Sequence, residues 1–358
     1  MNILISPLNW GIGHATRLVP LIRLLEKDHK IFLAADGKSY FFLKQEFPQL
    51  KILSAPKLET SYTKKASTLA LKMFFSIPKL IVFYFQNKKF VKEINSTEKI
   101  DLIISDNRFG FFSKKIKSVF ITHQIHITTP SYLRIFQKAI FLLNKINIEK
   151  FDELWIPDEP KINIAGDLSS TKRIKIPHHY IGLLSRFEQN KSSNTENNYK
   201  VVSIISGPEP QRSFLKEKIL SELLKTQLSA LILDGKTDEN YDYYKENIRI
   251  ISHLETKQMQ NILYNSEIII ARAGYSSIMD LIKINKTAIL IPTPGQTEQE
   301  YLANYLHNNR LFYYVEQKNF GLKEIDNFIK IKNQLQINIC SIKTNINLEY
   351  LLKKIIKN

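Results

Sequence analysis

A histidine stands in a glycine-punctuated turn close to the start of the chain, in the stretch Asn9-Trp10-Gly11-Ile12-Gly13-His14. The apolar run Ile3 to Ile5 before it reads as a strand. Arg17 to Ile22 after it carries the apolar spacing of a helix, so His14 falls where that helix begins. Gly11 and Gly13 let backbone N–H groups approach a ligand, and a helix N-terminus favours negative charge. An imidazole titrates near neutral pH and suits the removal of a proton from a hydroxyl. Asp106, at the end of the apolar run 101–106, is the carboxylate that could orient His14 or act as the base itself. A polar residue capping the helix is the structural alternative for His14.

Three turns in the second half of the chain also look chemical. The run 201–205 leaves through Ser206-Gly207, and Pro208 beyond them removes a donor but fits the first position of a helix. The run 267–271 leads through Arg272 and Gly274 to Ser276 and Ser277, on a helix that carries Asp280. Such a turn aims unpaired N–H groups, the helix dipole and two hydroxyls at one point, which suits a diphosphate. Arg272 would add a charged donor there, and Asp280 could accept from ribose hydroxyls. The run 287–291 continues through a Pro/Gly turn to Glu298, Gln299 and Glu300 at a helix start, where carboxylate and amide groups together read polyols. An ordinary capped helix and a solvated Asp280 are the structural alternatives, since acidic residues at a helix start also satisfy the dipole.

These turns need elements to position them. Short apolar runs near 2–6, 30–35, 50–54, 100–105, 118–122 and 152–157 alternate with helical spacing, as in parallel α/β domains. A polar, Ser/Asn-rich stretch at 189–199 reads as a linker. The pattern restarts near 200–205, 229–234, 248–252, 267–271 and 287–291. The fold class is therefore α/β, with two Rossmann-like parallel-sheet domains over 1–188 and 200–343. Consecutive βα turns of one parallel sheet open at the same edge, which groups the three turns of the second domain. A helix over 344–358 lacks a strand of its own and is expected to pack back on the first domain. Residues 64–93 are apolar, aromatic and flanked by lysines, but Lys72, Pro78 and Lys79 leave no run long enough to span a membrane. They read as a buried helix pair, or alternatively as a helix lying on anionic lipid.

Composition narrows the function. One cysteine, Cys340, excludes a disulfide framework and a cysteine-based zinc site, and points to a reducing compartment. No basic, apolar leader precedes the first strand, so the cytoplasm is expected. The net charge of +17 is spread over Lys-, Asn- and Ile-rich text and comes with no RNA- or DNA-binding signature, so nucleic acid is not an expected partner. No D-x-D motif is present, and Asp106-Asn107-Arg108 supplies a single carboxylate, so neither a metal nor another cofactor is expected. A nicotinamide oxidoreductase is a competing reading. Gly11-x-Gly13 and Asp36 fit part of a dinucleotide fingerprint, but Thr16 stands where its third glycine belongs.

Over nearly its whole length the chain resembles the two-domain GT-B glycosyltransferases, particularly the MurG or family 28 group of UDP-sugar transferases. "GIGHATRLVPLIRLL" is similar to that group's glycine loop with histidine, "RAGYSSIMDL" to its R-S-G-x-x-T-x-x-E stretch, "PTPGQTEQEYLANYL" to its proline-started turn, and "THQ" at 122–124 to its H-E-Q stretch. The resemblance implies two domains facing each other across a cleft, and inverting transfer from a UDP-sugar (UDP-GlcNAc, UDP-Gal or UDP-Glc) without metal. The acceptor would be a hydroxyl, as on a lipid-linked or cell-envelope glycan precursor at the inner face of the membrane. It places Asp280 at the ribose, Gln299 with Glu298 and Glu300 at the donor sugar, and Ser206, Gly207, Gly274, Ser276 and Ser277 at the diphosphate. His253 and Leu254 fall beside the base, with Arg272 on the leaving group. On the acceptor side stand Gly11, Gly13, Arg17, Asn107, Arg108, His123, Gln124 and His126, with His14 or Asp106 as the base. Ile205-Ser206-Gly207-Pro208 replaces the group's Gly-Gly-Ser loop and Glu300 its second glutamine, which leaves nucleotide and sugar open. A sugar-nucleotide epimerase of the same fold would bind the same donor.

Overall fold

A computed structural model describes residues 1–58, 69–188, 199–335, 350, 351, 354 and 355. The linker stretch 189–198, residues 64–68 and most of 344–358 lie outside the described residues. The chain divides into two compact units. One holds residues 1–58, 69–184 and the described C-terminal positions, and the other begins at Ser185 and runs to 335.

The first unit runs β1 (Asn2–Pro7), α1 (Gly13–Leu25), β2 (Lys30–Ala35), α2 (Gly37–Glu46), β3 (Lys51–Ser54), α3 (Leu69–Glu98), β4 (Leu102–Asp106), β5 (Lys117–Ile121), α4 (Gln137–Ile148), β6 (Glu153–Ile156) and β7 (His178–Tyr180). Its sheet has the order β3-β2-β1-β4-β5-β6-β7, with every pair parallel. Strands β1, β4 and β5 are near-continuous Ile/Leu/Val/Phe runs because helices cover both faces of a parallel sheet. Phe111, Ile103 and Val91 centre one core cluster, and Phe120, Phe151 and Phe141 another. Tyr350 and Leu351 lie beside the His178-His179-Tyr180 edge strand.

The second unit runs β8 (Val201–Ile204), α5 (Gln211–Leu223), β9 (Ala230–Leu233), β10 (Asp242–Lys245), β11 (Ile248–Ile251), α6 (Thr256–Asn265), β12 (Ile268–Ala271), α7 (Tyr275–Lys283), β13 (Ile289–Leu290), α8 (Thr297–Asn308), β14 (Tyr313–Tyr314) and α9 (Leu322–Ile331). Its sheet order is β10-β11-β9-β8-β12-β13-β14, parallel except for the reversed edge strand β10. Alternate residues of β8, β9, β11 and β12 pack with Phe320 and Phe328 into one core.

The expected buried helix pair at 64–93 is corrected to one helix, α3, that runs through Pro78. Proline forfeits one backbone bond. The helix holds because Phe83, Asn87 and Val91, spaced by four, anchor one buried face after the proline. The opposite side leaves Ile77, Leu80, Ile81, Val82 and Phe85 about half exposed, between 45% and 63%.

Candidate active site

In each sheet the strand order reverses at one point, between β1 and β4 in the first and between β8 and β12 in the second. Crossovers diverge at such a reversal and leave a crevice at the carboxyl ends of the strands, where ligands of open α/β sheets bind. The glycine turn after β1, Asp106 ending β4, Ser206-Gly207 after β8 and Arg272–Gly274 after β12 all stand at these two points.

In the first unit, Gly11 has φ +86° and a Cβ there would meet nothing within 4 Å, so the turn opens onto free space. His14 Nδ1 lies 2.8 Å from Asp106 Oδ1. Arg17, one helical turn further along α1, donates from Nε to Asp106 Oδ2 at 2.5 Å and from a terminal nitrogen to Oδ1. Its other terminal nitrogen lies 3.1 Å from His123 Nδ1. Asp106 is fully buried, whereas His14 keeps part of its ring in solvent. Burial, then the Arg17 charge, holds His14 below the ordinary imidazole value of 6.5, with Asp106 pulling the other way. Burial alone would raise Asp106, but Arg17 and His14 together keep it below the usual carboxylate range. The site therefore holds a neutral imidazole against an ionised carboxylate, which is the resting state of a general base.

Neighbouring loops support this cluster. Asn107 takes a left-handed conformation, φ 55°, that turns the chain after β4. Asn144 of α4 donates to the carbonyls of Gln124 and Ile125 and fixes the loop that carries His123. His126 stacks on Phe141 at 4.5 Å, and its Nε2 lies 3.1 Å from the Ser170 carbonyl. Arg108 departs from its expected place on the acceptor side. It is fully buried, and it donates to Asp36, Asn87 and the carbonyls of Pro7 and Pro56, tying the ends of β1, β2 and β3 together. Asp36, the acid that a dinucleotide fold would give to a ribose, is spent on Arg108 at 2.9 Å and Asn9 at 3.2 Å.

In the second unit, Gly207 has φ +103°, a conformation that favours glycine, and its absent side chain leaves the turn open. A Cβ on Gly274 would meet nothing within 4 Å, at the N-terminus of α7, where Ser276 and Ser277 are half-buried. His253 and Leu254 are half-buried after β11, and His253 Nδ1 lies 3.2 Å from Ser252 Oγ. Arg272 is buried and donates to the carbonyls of Ile291, Pro292 and Gln211 and to Gln317 Oε1. Burial pulls its pKa down to about 9, so it stays charged at neutral pH. Gln299 Oε1 accepts from the Thr293 N–H and Glu300 Oε1 from the Gly295 N–H, each at 2.8 Å. These two side chains brace the Pro/Gly turn, and Glu298 stays half-buried on the first turn of α8. Asp280 is also engaged: Ser185 Oγ donates to it at 2.7 Å and Arg186 Nε at 3.1 Å.

One residue escaped the sequence reading. Thr293 is buried, its hydroxyl has no partner among the described residues, and it lies 3.6 Å from where a Cβ of Gly207 would sit. A buried hydroxyl without a partner costs about 1–3 kcal/mol, which a ligand oxygen would offset. Nothing in the local text marks it, because it stands between two prolines as an ordinary turn residue.

Residues 211–338 match the model of the glycosyltransferase family 28 C-terminal domain. A relative from Methanosarcina acetivorans, described as an uncharacterized glycosyltransferase, is 24% identical over 324 residues, 84% of this chain and 82% of its own. Acinetobacter baumannii MurG is similar in structure with a TM-score of 0.55 at 11% identity, over 100% of this chain and 99% of that one. Phytolacca americana UGT2, solved with UDP-2-fluoro-glucose and pterostilbene, has a TM-score of 0.61 at 11% identity, again over 100% and 99%. Two parallel-sheet units with open turns at their reversal points define the class: the chain has the GT-B glycosyltransferase fold. Its second unit carries a family 28 C-terminal domain, and the protein is a transferase enzyme of the glycosyltransferase class.

Proposed function

We propose that the protein transfers a sugar from a UDP-sugar (UDP-GlcNAc, UDP-Gal or UDP-Glc) to a hydroxyl of a lipid-linked or cell-envelope glycan precursor, with inversion and without metal. The observation that carries this reading is the neutral His14 paired with the ionised Asp106 at the strand reversal of the first unit, in a chain whose second unit is a family 28 domain. The diphosphate is held by the Ser206-Gly207 turn, the Gly274-Ser276-Ser277 helix start and the Thr293 hydroxyl. His253 and Leu254 lie against the base. Glu298, with the braced Gln299 and Glu300 turn, reads the donor sugar. Arg272, a buried cation beneath the Pro292 turn, adds positive potential where negative charge develops on the leaving diphosphate. His14 removes the proton of the acceptor hydroxyl, whose oxygen attacks the anomeric carbon opposite the departing diphosphate, so the configuration inverts.

The same reading puts the exposed apolar row of α3, Ile77 to Phe85, against the cytoplasmic surface of the lipid that carries the acceptor, with Lys79, Lys88 and Lys89 nearby for anionic headgroups. No helix among the described residues is long and apolar enough to cross a membrane, so this is contact with a surface. Thermal denaturation with UDP, UDP-GlcNAc, UDP-Gal, UDP-Glc, GDP-Man, dTDP and NAD tests the donor. One UDP-sugar should stabilise the protein by about 2.7 kcal/mol at a hundredfold excess over its dissociation constant, and NAD should not. Full activity in EDTA supports metal independence. Conversion of the donor sugar in the absence of acceptor would replace transfer with epimerisation.

A further inference from the structure

Helix α1 sets one more charged side chain against His14 than a histidine–carboxylate pair requires. Arg17 is buried with 2% exposed, binds both oxygens of Asp106 and reaches His123 Nδ1 at 3.1 Å. A guanidinium has only donors. His123 Nδ1 must therefore present a lone pair, so the proton of the neutral ring sits on Nε2. An ionised carboxylate has only acceptors, so the proton between His14 and Asp106 belongs to His14 Nδ1, and the lone pair of that ring lies on Nε2.

We infer that Arg17 is a positioning residue for the transfer: by clamping Asp106 and bonding His123, it fixes the two imidazoles in opposite tautomers and leaves His14 Nε2 as the proton acceptor. This rests on the reading of His14 as the base. The acceptor proton passes to His14 Nε2 as the acceptor oxygen bonds to the anomeric carbon. The bond from that carbon to the diphosphate oxygen breaks, and its electron pair leaves with the diphosphate. Asp106, held by two bonds from a permanent cation, does not take the proton. The groups facing His14 are Arg17 from α1, Asp106 from the end of β4 and His123 from the loop after β5. The carboxylate stabilises the imidazolium that forms, while the Arg17 charge opposes it, so the ring releases its proton readily after each transfer.

Nitrogen NMR of the imidazoles in the full-length protein tests this without substrate, with His14 and His123 assigned from His14→Gln and His123→Gln. In the wild type, His14 should carry its proton on Nδ1 and His123 on Nε2. In Arg17→Met, the titration midpoint of His14 should rise by about one pH unit and His123 should populate both tautomers. Arg17→Lys, which keeps the charge but not the fork, should give a smaller rise and still free His123. A wild-type His123 protonated on Nδ1, or a His14 midpoint that moves in neither Arg17 variant, would overturn the inference. If Arg17→Met does not fold, Arg17→Lys decides alone, since an unchanged His14 midpoint and His123 tautomer there are equally fatal. Sugar transfer is assayed separately, so failure of the catalytic reading leaves this result standing.

Discussion

Arg186 Nε donates to the Asp280 carboxylate at 3.1 Å, and both side chains are buried in the second unit. Burial pushes the Asp280 carboxyl up, while Arg186 and Ser185 pull it back. The acid that the motif spacing assigns to a ribose is thus held by the stretch of chain that enters this unit.

Asp280→Ala should accordingly cost about 3 kcal/mol of stability, because it takes the carboxylate away from a buried guanidinium. Adding Arg186→Met should recover a large part of that loss. Urea unfolding of the single and double variants gives the coupling. An Asp280→Ala protein of wild-type stability with weakened UDP binding would return the residue to the ribose.

His14 predicts two pH effects. A base must be neutral to act, and this ring lies below 6.5, so kcat/KM should hold above pH 6.5 and fall only at a midpoint beneath it. His14→Ala should lower kcat by about 10²–10⁴-fold. The depressed pKa also couples to folding. As pH drops below 6.5 the unfolded chain takes up this proton first, so stability present above 6.5 is lost as pH falls through the folded value. Urea melts between pH 5 and 8 should show this loss in the wild type and a shallower one in His14→Gln.

The apolar runs made the central strands legible, because a strand covered on both faces must be apolar throughout. β10 was not, since Asp-Tyr-Tyr-Lys is exposed at every position and has no alternation to read. β7 and β14 are three and two residues long, too short for a pattern. Pro78 suggested a break in α3, whereas tertiary anchors at Phe83, Asn87 and Val91 override it. At the site, glycine turns and strand ends marked His14 and Asp106, because a parallel sheet gathers such ends at one edge. Arg108 was misplaced because its partner Asp36 lies 72 positions away in the chain, a separation that leaves no local trace. Gln299 and Glu300 were read as facing a sugar, yet their acceptor oxygens serve the turn beside them.

On the proposed reading of the Gly207 turn as a diphosphate site, Thr293 and Gly207 separate donor binding from folding. Thr293→Val removes a hydroxyl that is unsatisfied in the free protein, so stability should be unchanged or higher, while donor affinity falls about tenfold. Gly207→Ala forces a side chain into φ +103° and should lose about 1–2 kcal/mol of stability along with donor affinity. Calorimetric titration with UDP and thermal melts of the same samples check both.

Ile81→Glu with Phe85→Glu should abolish sedimentation with anionic vesicles, because both side chains are more than half exposed on α3. Stability and transfer to a water-soluble acceptor should be unaffected. Equal sedimentation of the double variant and the wild type would remove this surface from consideration.

The reversed strand β10 bears on solubility as well as topology. An open parallel sheet ends in a row of unpaired amides and carbonyls that invites another chain to add on. Here that row belongs to a four-residue strand with Asp242 and Lys245 at its ends, and Asp242 is forked by Arg249 of the next strand. A strand approaching this edge would have to strip water from both charges and break that fork. The second unit therefore carries its own guard against fibrous self-assembly at the edge of the sheet opposite β14.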